Sequence, residues 1–179
     1  MELSRQILIS GHKGVPMWEP GVIFGGLSAI CVAIALLVYI RFGAGRSEIL
    51  CLACWLSART ISQIAQPFVY QACLEYRDFS YIIWYSTWCL IDFAAIICIF
   101  LLHKLQRVEP SKLALFVSMS FLMSIAVQIA GYVDRSILET KALDDLYRFV
   151  ILSVNFVVGP AALIELYKAG QIRRKGIVR

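Results

Sequence analysis

The sequence predicts an all-α protein, a polytopic integral membrane bundle with five transmembrane helices. Three observations lead to this fold class. Hydrophobic residues make up 60% of the 179 residues and charged residues only 16%, whereas about 25% of a soluble domain is charged. The mean hydropathy is +0.75. The hydrophobic residues also form five long blocks, and a helix needs about 20 such residues to cross a hydrocarbon core of about 30 Å.

The five blocks differ in how purely apolar they are. The first, third and fourth blocks are the strongest candidates for membrane-spanning helices. The second block carries Arg59, and the fifth is short and contains Asn155 and Pro160. The predicted spans, in chain order, are residues 21–40, 49–74, 79–102, 113–133 and 146–164.

Short connections between the blocks predict one helical domain over residues 21–167, without linkers. Pro110 ends one element, and Ser111 is a suitable N-cap for the fourth helix. Residues 1–20 lack the apolar core of a signal peptide, so we expect either a tail or a short interfacial helix there. Residues 168–179 form a basic tail.

The distribution of Lys and Arg predicts the orientation of the bundle. Of the 17 basic residues, ten fall in segments 41–48, 103–112 and 168–179, which share one side in a five-span topology. Six fall on the other side, and Arg59 lies inside a span. The positive-inside rule therefore places the N-terminus outside and the C-terminus in the cytoplasm. Small size favours the inner membrane of a bacterium.

One polar stripe stands out on the second span. Gln63 and Gln66 lie within about 60° of Arg59 on a helical wheel, and lipid would expel such a stripe, so it should face protein or water. Arg59 and Asp92 both lie about 15 Å from the cytoplasmic ends of their spans. Because these two spans form a hairpin, the sequence predicts an Arg59–Asp92 ion pair.

The same depth comparison adds two further polar groups. Asn155 should lie level with the Arg59–Asp92 pair, and Gln63 should lie level with Gln128, about 21–22 Å from the cytoplasmic end. Two interpretations remain open for this layered polar core. The side chains could fix the bundle by hydrogen bonds across helices, or they could form a polar path or ligand pocket.

The first span carries small residues at four-residue spacing: Gly21, Gly25, Ala29 and Ala33. Small residues at this spacing allow two helix backbones to approach closely. The contact can lie within one chain or between two copies, so self-association is one expectation from this face.

Basic residues gather at the C-terminal end, namely Lys168, Arg173, Arg174, Lys175 and Arg179. Beside a cytoplasmic leaflet each gains about 1 kcal/mol from anionic lipid. Contact with anionic membrane lipids and docking of a cytoplasmic protein are the two expectations. No nucleic-acid-binding motif is present, so direct binding of nucleic acid is not expected.

Signals for an enzyme are weak. Cys51 and Cys54 form a C-x-x-C motif that is similar to the one in quinone-reducing, disulfide-generating membrane proteins. The charge bias places both on the cytoplasmic side, however, and no outer loop has a second cysteine pair to relay electrons. His12 and His103 are far apart in sequence, His103 reads as an interfacial flank, and no hydrolase, metalloprotease or Walker motif occurs. No metal or cofactor is expected.

The sequence therefore favours a non-enzymatic, oligomeric membrane subunit. It would sense or transmit a membrane event and dock a cytoplasmic partner through its basic inner face. The alternative is a homo-oligomeric ion channel or proton-coupled small-solute carrier that uses the polar core. A thiol–quinone redox enzyme ranks third.

Overall fold

The structure, a computed structural model, describes the backbone at residues 20–42, 45–140 and 142–177, and side-chain surroundings at residues 26–41, 45–140 and 142–168. The expected N-terminal tail, residues 1–19, lies outside this part. Within it the chain is all-helical and contains no strand. The five α-helices are α1 (Pro20–Phe42), α2 (Arg46–Glu75), α3 (Ser80–Gln106), α4 (Lys112–Tyr132) and α5 (Asp144–Ile177).

Local sequence explains where several helices begin and end. Gly45 precedes α2 in the left-handed conformation, with φ of 49°, which costs glycine little. Arg107 ends α3 in the same region, at φ 52°. Ser111 caps α4 as predicted, because its hydroxyl oxygen accepts from the N–H of Ala114 at 3.2 Å. Asp144 and Asp145 occupy the first turn of α5, where the helix dipole favours negative charge.

The helices form a closed bundle in which each helix packs against its neighbours in sequence and α1 packs against α5. Helix α2 also contacts α4 and thereby fills the interior. The core is a single cluster of apolar residues drawn from all five helices. Its largest fully buried side chains include Trp55, Tyr39, Phe121 and Leu52.

Three helical segments in the described residues are long and apolar enough to cross a membrane: Arg77–Gln106, Lys112–Ile137 and Asp144–Lys168. A shorter apolar helix covers Gly26–Arg41. Helix α2 does not meet this criterion on its own, because it carries polar side chains along its length.

The two ends of the bundle carry opposite charge. Short connections make consecutive helices antiparallel, so one end, here called the basic end, collects the C-termini of α1, α3 and α5. Its described charged side chains, six basic and three acidic, are Arg41, Arg46, Glu48, Lys104, Arg107, Glu109, Lys112, Glu165 and Lys168. The described residues of the opposite, acidic end include three basic and six acidic side chains: Glu75, Arg77, Asp78, Asp134, Arg135, Glu139, Asp144, Asp145 and Arg148.

The longest connection, between α4 and α5, is organised by Asp134. This residue is buried in a turn of π-helix, Val133–Ile137. Its carboxylate accepts hydrogen bonds from the Thr140 hydroxyl and from the N–H of Leu143 at 3.3 Å. Next to it, Arg135 pairs with Asp144, with Nε 2.9 Å from Oδ1.

Candidate functional site

The predicted Arg59–Asp92 ion pair is present at mid-height of the bundle. Nη2 of Arg59 on α2 lies 3.7 Å from Oδ1 of Asp92 on α3. The Asp92 side chain is 5% exposed and that of Arg59 is 20% exposed. A single contact of this length is loose, because charge-assisted N–H···O bonds are normally about 2.7–2.9 Å. The pair joins α2 to α3.

Two aromatic rings enclose the guanidinium. Its central carbon lies 5.7 Å from the ring centroid of Trp55, one turn earlier on α2, and 5.5 Å from that of Phe121 on α4. Both distances are within cation–π range. The buried Ser124 hydroxyl on α4 interacts with Asp92. The site therefore connects three helices and holds a permanent cation between rings.

The hydrogen bonding of this site is incomplete. Nε of Arg59 and the indole Nε1 of Trp55 are both buried, and neither has a hydrogen-bond partner among the described residues. A buried donor without a partner typically costs about 1–3 kcal/mol. The enclosed cation is thus held by electrostatics and ring contacts more than by hydrogen bonds.

Within the described residues, neither Asn155 nor Gln63 is hydrogen-bonded to the polar residue predicted at its depth, and the equal depths stay a prediction. Asn155 is half-buried on α5, and no hydrogen bond among the described residues joins it to the ion pair. Gln128 does not meet Gln63. Instead its buried Oε1 accepts from the Tyr147 hydroxyl at 2.9 Å. Equal depth in two helices does not fix which way each side chain points around its axis, and rotation separates these residues.

The polar stripe on α2 divides between the inside and the outside of the chain. Arg59 turns inward to Asp92, whereas Gln63 and Gln66 are exposed and form no hydrogen bond within the described residues. Pro67 is also exposed on this side. Because proline has no N–H, the backbone carbonyl of Gln63 lacks its usual helical donor. We call these three residues, Gln63, Gln66 and Pro67, the outer stripe of α2.

A second proline, Pro160, interrupts α5, and its missing donor is replaced. The carbonyl deprived of its helical donor is that of Phe156. The Ser28 hydroxyl of α1 donates to this oxygen at 3.4 Å. Gly159 permits the approach, because a Cβ there would lie 3.0 Å from Ser28 Oγ and 3.2 Å from Cys31 Cβ. A side chain of α1 thus replaces the hydrogen-bond donor that is missing in α5.

The small-residue face of α1 is partly used inside the chain. Ala29 packs against the core cluster and Ala33 is half-buried. Gly21 and Gly25 lie on the first turns of α1, before the part whose side-chain surroundings are described. Close packing of α1 on α5 is therefore intramolecular, and self-association through this face stays a prediction.

His103 is not an interfacial flank, as its sequence context suggested, but a buried residue that ties three helices together at the basic end. Its Nδ1 donates to the Ile99 carbonyl at 2.7 Å. In the neutral ring Nε2 then accepts from the Ser47 hydroxyl of α2 at 2.8 Å. Ser47 Oγ accepts in turn from the N–H of Ser111 at 2.8 Å. The sequence held no signal for this chain of contacts, because Ser47 and His103 are 56 residues apart.

A groove of about 460 Å³ opens beside His103, where α3 ends and α4 begins. Its wall is mostly apolar, with Ile96, Phe100 and Leu115 among the lining residues. Three charged residues also line it: Lys104, Arg107 and Glu109.

The predicted basic tail begins on a helix. Lys168 is exposed and pairs with Glu165 at 2.7 Å. The backbone of α5 stays helical through Ile177, so positions 173–175 continue the helix rather than a separate segment. The side chains of Arg173, Arg174 and Lys175, and all of Arg179, lie outside the described residues.

The cysteines are free thiols, and Cys51 is fully buried. Its thiol donates to the Glu48 carbonyl at 3.3 Å, within α2. This is the environment of a packing residue. Among the described residues, no group of three or more His, Cys, Asp or Glu side chains could hold a metal ion.

The sequence reasoning found Arg59 and Asp92 but missed the rings around them. Trp55 was detectable in principle, since it lies four residues before Arg59 and such residues share a helix face. Phe121 had no such signal, because only the packing of α4 on α2 brings it there.

No protein-family model, curated protein or solved structure matches the chain. The functional assignment therefore depends on the charges, contacts and exposed groups described above.

Proposed function

We propose that this chain is a non-enzymatic, oligomeric membrane subunit that senses or transmits a membrane event and docks a cytoplasmic partner through its basic end. The observation that carries the proposal is the opposite charge of the two ends of an otherwise apolar bundle. Six of nine charged side chains described at one end are basic, and six of nine at the other are acidic. The excess of Lys and Arg at the basic end, six residues against three, favours an orientation with that end in the cytoplasm.

In this proposal all five helices cross the inner membrane of a bacterium, with the N-terminus outside. Three helical segments have the length and hydropathy for it, and α1 contributes a further apolar helix. Helix α2 is too polar to insert easily by itself. Its contacts with α1, α3 and α4 give its inner polar side protein neighbours, as charged groups at membrane depth require.

The Arg59 site is the element that could respond to an event in the membrane. A permanent cation is held between Trp55 and Phe121 with one 3.7 Å ionic contact and an unpaired Nε. Because α2, α3 and α4 all meet there, a shift of the guanidinium would change how these helices pack. The same three helices meet again at the His103 cluster of the basic end.

The basic end offers the surface for a partner or for anionic lipid. Lys104, Arg107 and Lys168 are exposed there, beside the apolar groove between α3 and α4. The helical extension of α5 carries further basic positions beyond it. An acidic patch on a cytoplasmic protein, or anionic headgroups of the inner leaflet, would complement this surface.

Native mass spectrometry tests the proposal, with the full chain extracted gently from its own host membrane. We expect a stoichiometric cytoplasmic polypeptide bound to the chain. A variant that lacks residues 171–179 should lose that polypeptide while the membrane bundle stays folded.

A matched control neutralises basic residues at the opposite end, with Arg77→Gln and Arg148→Gln. It should retain the partner, because the acidic end faces away from the cytoplasm in this topology. A chain that brings down no cytoplasmic polypeptide, or one retained equally by both variants, would contradict the proposal.

A second candidate function, a homo-oligomeric ion channel or proton-coupled carrier, is favoured by the outer stripe of α2. Exposed Gln63 and Gln66 could line a polar path between copies. Flux through liposomes that contain only this chain tests it. Gln66→Leu should abolish flux in a channel, whereas Gln71→Leu, on the same helix nearer its end, should not.

A further inference from the structure

The outer stripe of α2 is an exposed polar surface near mid-height of the bundle. Gln63 and Gln66 present amides that make no hydrogen bond within the described residues. Pro67 adds a backbone defect at the same place, since it deprives the Gln63 carbonyl of a donor. Two independent features, one of side chains and one of backbone, thus call for hydrogen bonds from outside the chain.

Lipid cannot supply these hydrogen bonds. The hydrocarbon region offers neither donors nor acceptors, and each unsatisfied polar group there is costly. Pro160 shows the alternative within this same molecule, because Ser28 of a neighbouring helix donates to the carbonyl that it frees. The outer stripe needs an equivalent neighbour, and no described helix of the chain occupies that side.

We infer that the neighbour is a second copy of this chain, packed α2 against α2 about a two-fold axis along the membrane normal. All copies insert with the same orientation, so such an axis places each residue opposite itself at the same depth. A glutamine amide both donates and accepts, and Gln63 therefore complements Gln63 of the other copy. A donor from one amide can also reach the carbonyl that Pro67 leaves without its helical partner.

The charge and the exposed residues of this face are compatible with a symmetric contact. Arg59 is paired with Asp92 inside its own chain, so the facing stripes carry no net charge and do not repel. Thr60 and Ile64 lie within about 60° of Pro67 on the helix surface. Both are exposed, and Thr60 already bonds the Leu56 carbonyl at 2.9 Å. The side chain of Ile64 is apolar and would add van der Waals contact beside the paired amides.

The inference rests on the membrane placement made under the proposed function. Its test uses the full chain in its own membranes, with a photo-crosslinking benzophenone amino acid at position 63. The matched control carries the same amino acid at position 129 on α4, because Ile129 is exposed and lies at about the same depth. We expect a crosslinked product of twice the 20.1 kDa chain mass from position 63 and not from position 129.

A second set of variants separates loss of the contact from loss of the fold. Gln63→Leu with Gln66→Leu should abolish the dimer in native mass spectrometry and leave the thermal midpoint of the monomer unchanged or higher. Gln63→Asn with Gln66→Asn keeps amides in place and should retain a dimer. A double leucine variant that stays fully dimeric would overturn the inference.

The remaining outcomes distinguish the causes of failure. Extraction of the chain by alkaline carbonate would refute the membrane placement itself. If the chain stays in the membrane but position 63 crosslinks to a different polypeptide, or to nothing, only the α2–α2 contact is refuted. Labelling of a cysteine at position 63 by a water-soluble maleimide would also refute it and would favour a water-filled path.

Discussion

Two prolines each interrupt one helix of this bundle, and they differ in whether a side chain replaces the missing hydrogen-bond donor. Pro160 lies where α5 meets α1, and the carbonyl that it deprives of a donor receives a hydrogen bond from Ser28. Pro67 lies on the exposed side of α2, and no described side chain donates to the carbonyl of Gln63. The first carbonyl thus has a side-chain donor from another helix, whereas no such donor is described for the second.

The buried and the exposed glutamines differ in the same way as the two prolines. Gln128 is buried, and its oxygen accepts from Tyr147. Gln63 and Gln66 are exposed and have no hydrogen-bond partner among the described residues. The buried glutamine is thus satisfied within the chain, whereas no described residue satisfies the two exposed ones. This contrast supports our inference that the outer stripe of α2 packs against another molecule.

The largest effect should come from removing the ion pair on the inner side of α2. Asp92→Asn leaves the Arg59 cation without its counter-charge, and removal of one partner of a buried pair typically costs about 3–5 kcal/mol. Titration of the purified chain with a denaturing detergent would measure the change in the free energy of unfolding. The charge swap Arg59→Asp with Asp92→Arg should recover part of the loss. A swap no more stable than either single variant would disprove the pairing.

The next effect compares the prolines directly. Pro67→Ala restores an N–H to an otherwise intact helix, and a proline in a helix interior costs up to about 3 kcal/mol relative to alanine. We expect it to raise the unfolding free energy of the monomer by more than Pro160→Ala does, because Ser28 already replaces the donor at Pro160. Equal gains from both variants, in the same detergent titration, would remove the distinction between the two sites.

A smaller effect should follow from removing the donor that closes α5. Ser28→Ala leaves the Phe156 carbonyl without this hydrogen bond, at a cost of about 1–3 kcal/mol. Ser62→Ala is the matched control, because Ser62 bonds the Ala58 carbonyl at 2.9 Å, which already has a helical donor. The loss should shrink when Ser28→Ala is combined with Pro160→Ala. Losses of the same size at both serines would argue against this explanation.

The smallest effect concerns the buried glutamine. Tyr147→Phe removes the only side-chain donor described for Gln128 and should cost about 1 kcal/mol. Gln63→Leu, which breaks no hydrogen bond among the described residues, should not destabilise the monomer. Thermal midpoints of the two variants in one detergent would show the difference, and a destabilising Gln63→Leu would reveal a contact inside the chain.

Depth along a helix was predictable, and rotation about it was not. The pairing of Arg59 with Asp92 followed from two residues at equal distance from the ends of a short hairpin. The same comparison placed Gln63 level with Gln128, but these helices are not joined in a hairpin, and Gln128 bonds Tyr147 instead. Asn155, predicted level with the pair, has no hydrogen bond to it among the described residues. A hairpin determines which two helices are in contact and what their register is. For helices far apart in the sequence, side-chain packing determines which helices become neighbours.

The sequence by itself determined the helical class, the apolar lengths of the helices, the charge of the two ends and the cap at Ser111, since each depends on local composition or on contacts a few residues apart. Only the tertiary structure decided that Trp55 and Phe121 enclose Arg59, that Ser47 and Ser111 hold His103, and that Ser28 closes the break at Pro160. These contacts join residues far apart in the chain. Their geometry depends on helix rotation and on close approach, as at Gly159, which periodicity does not encode.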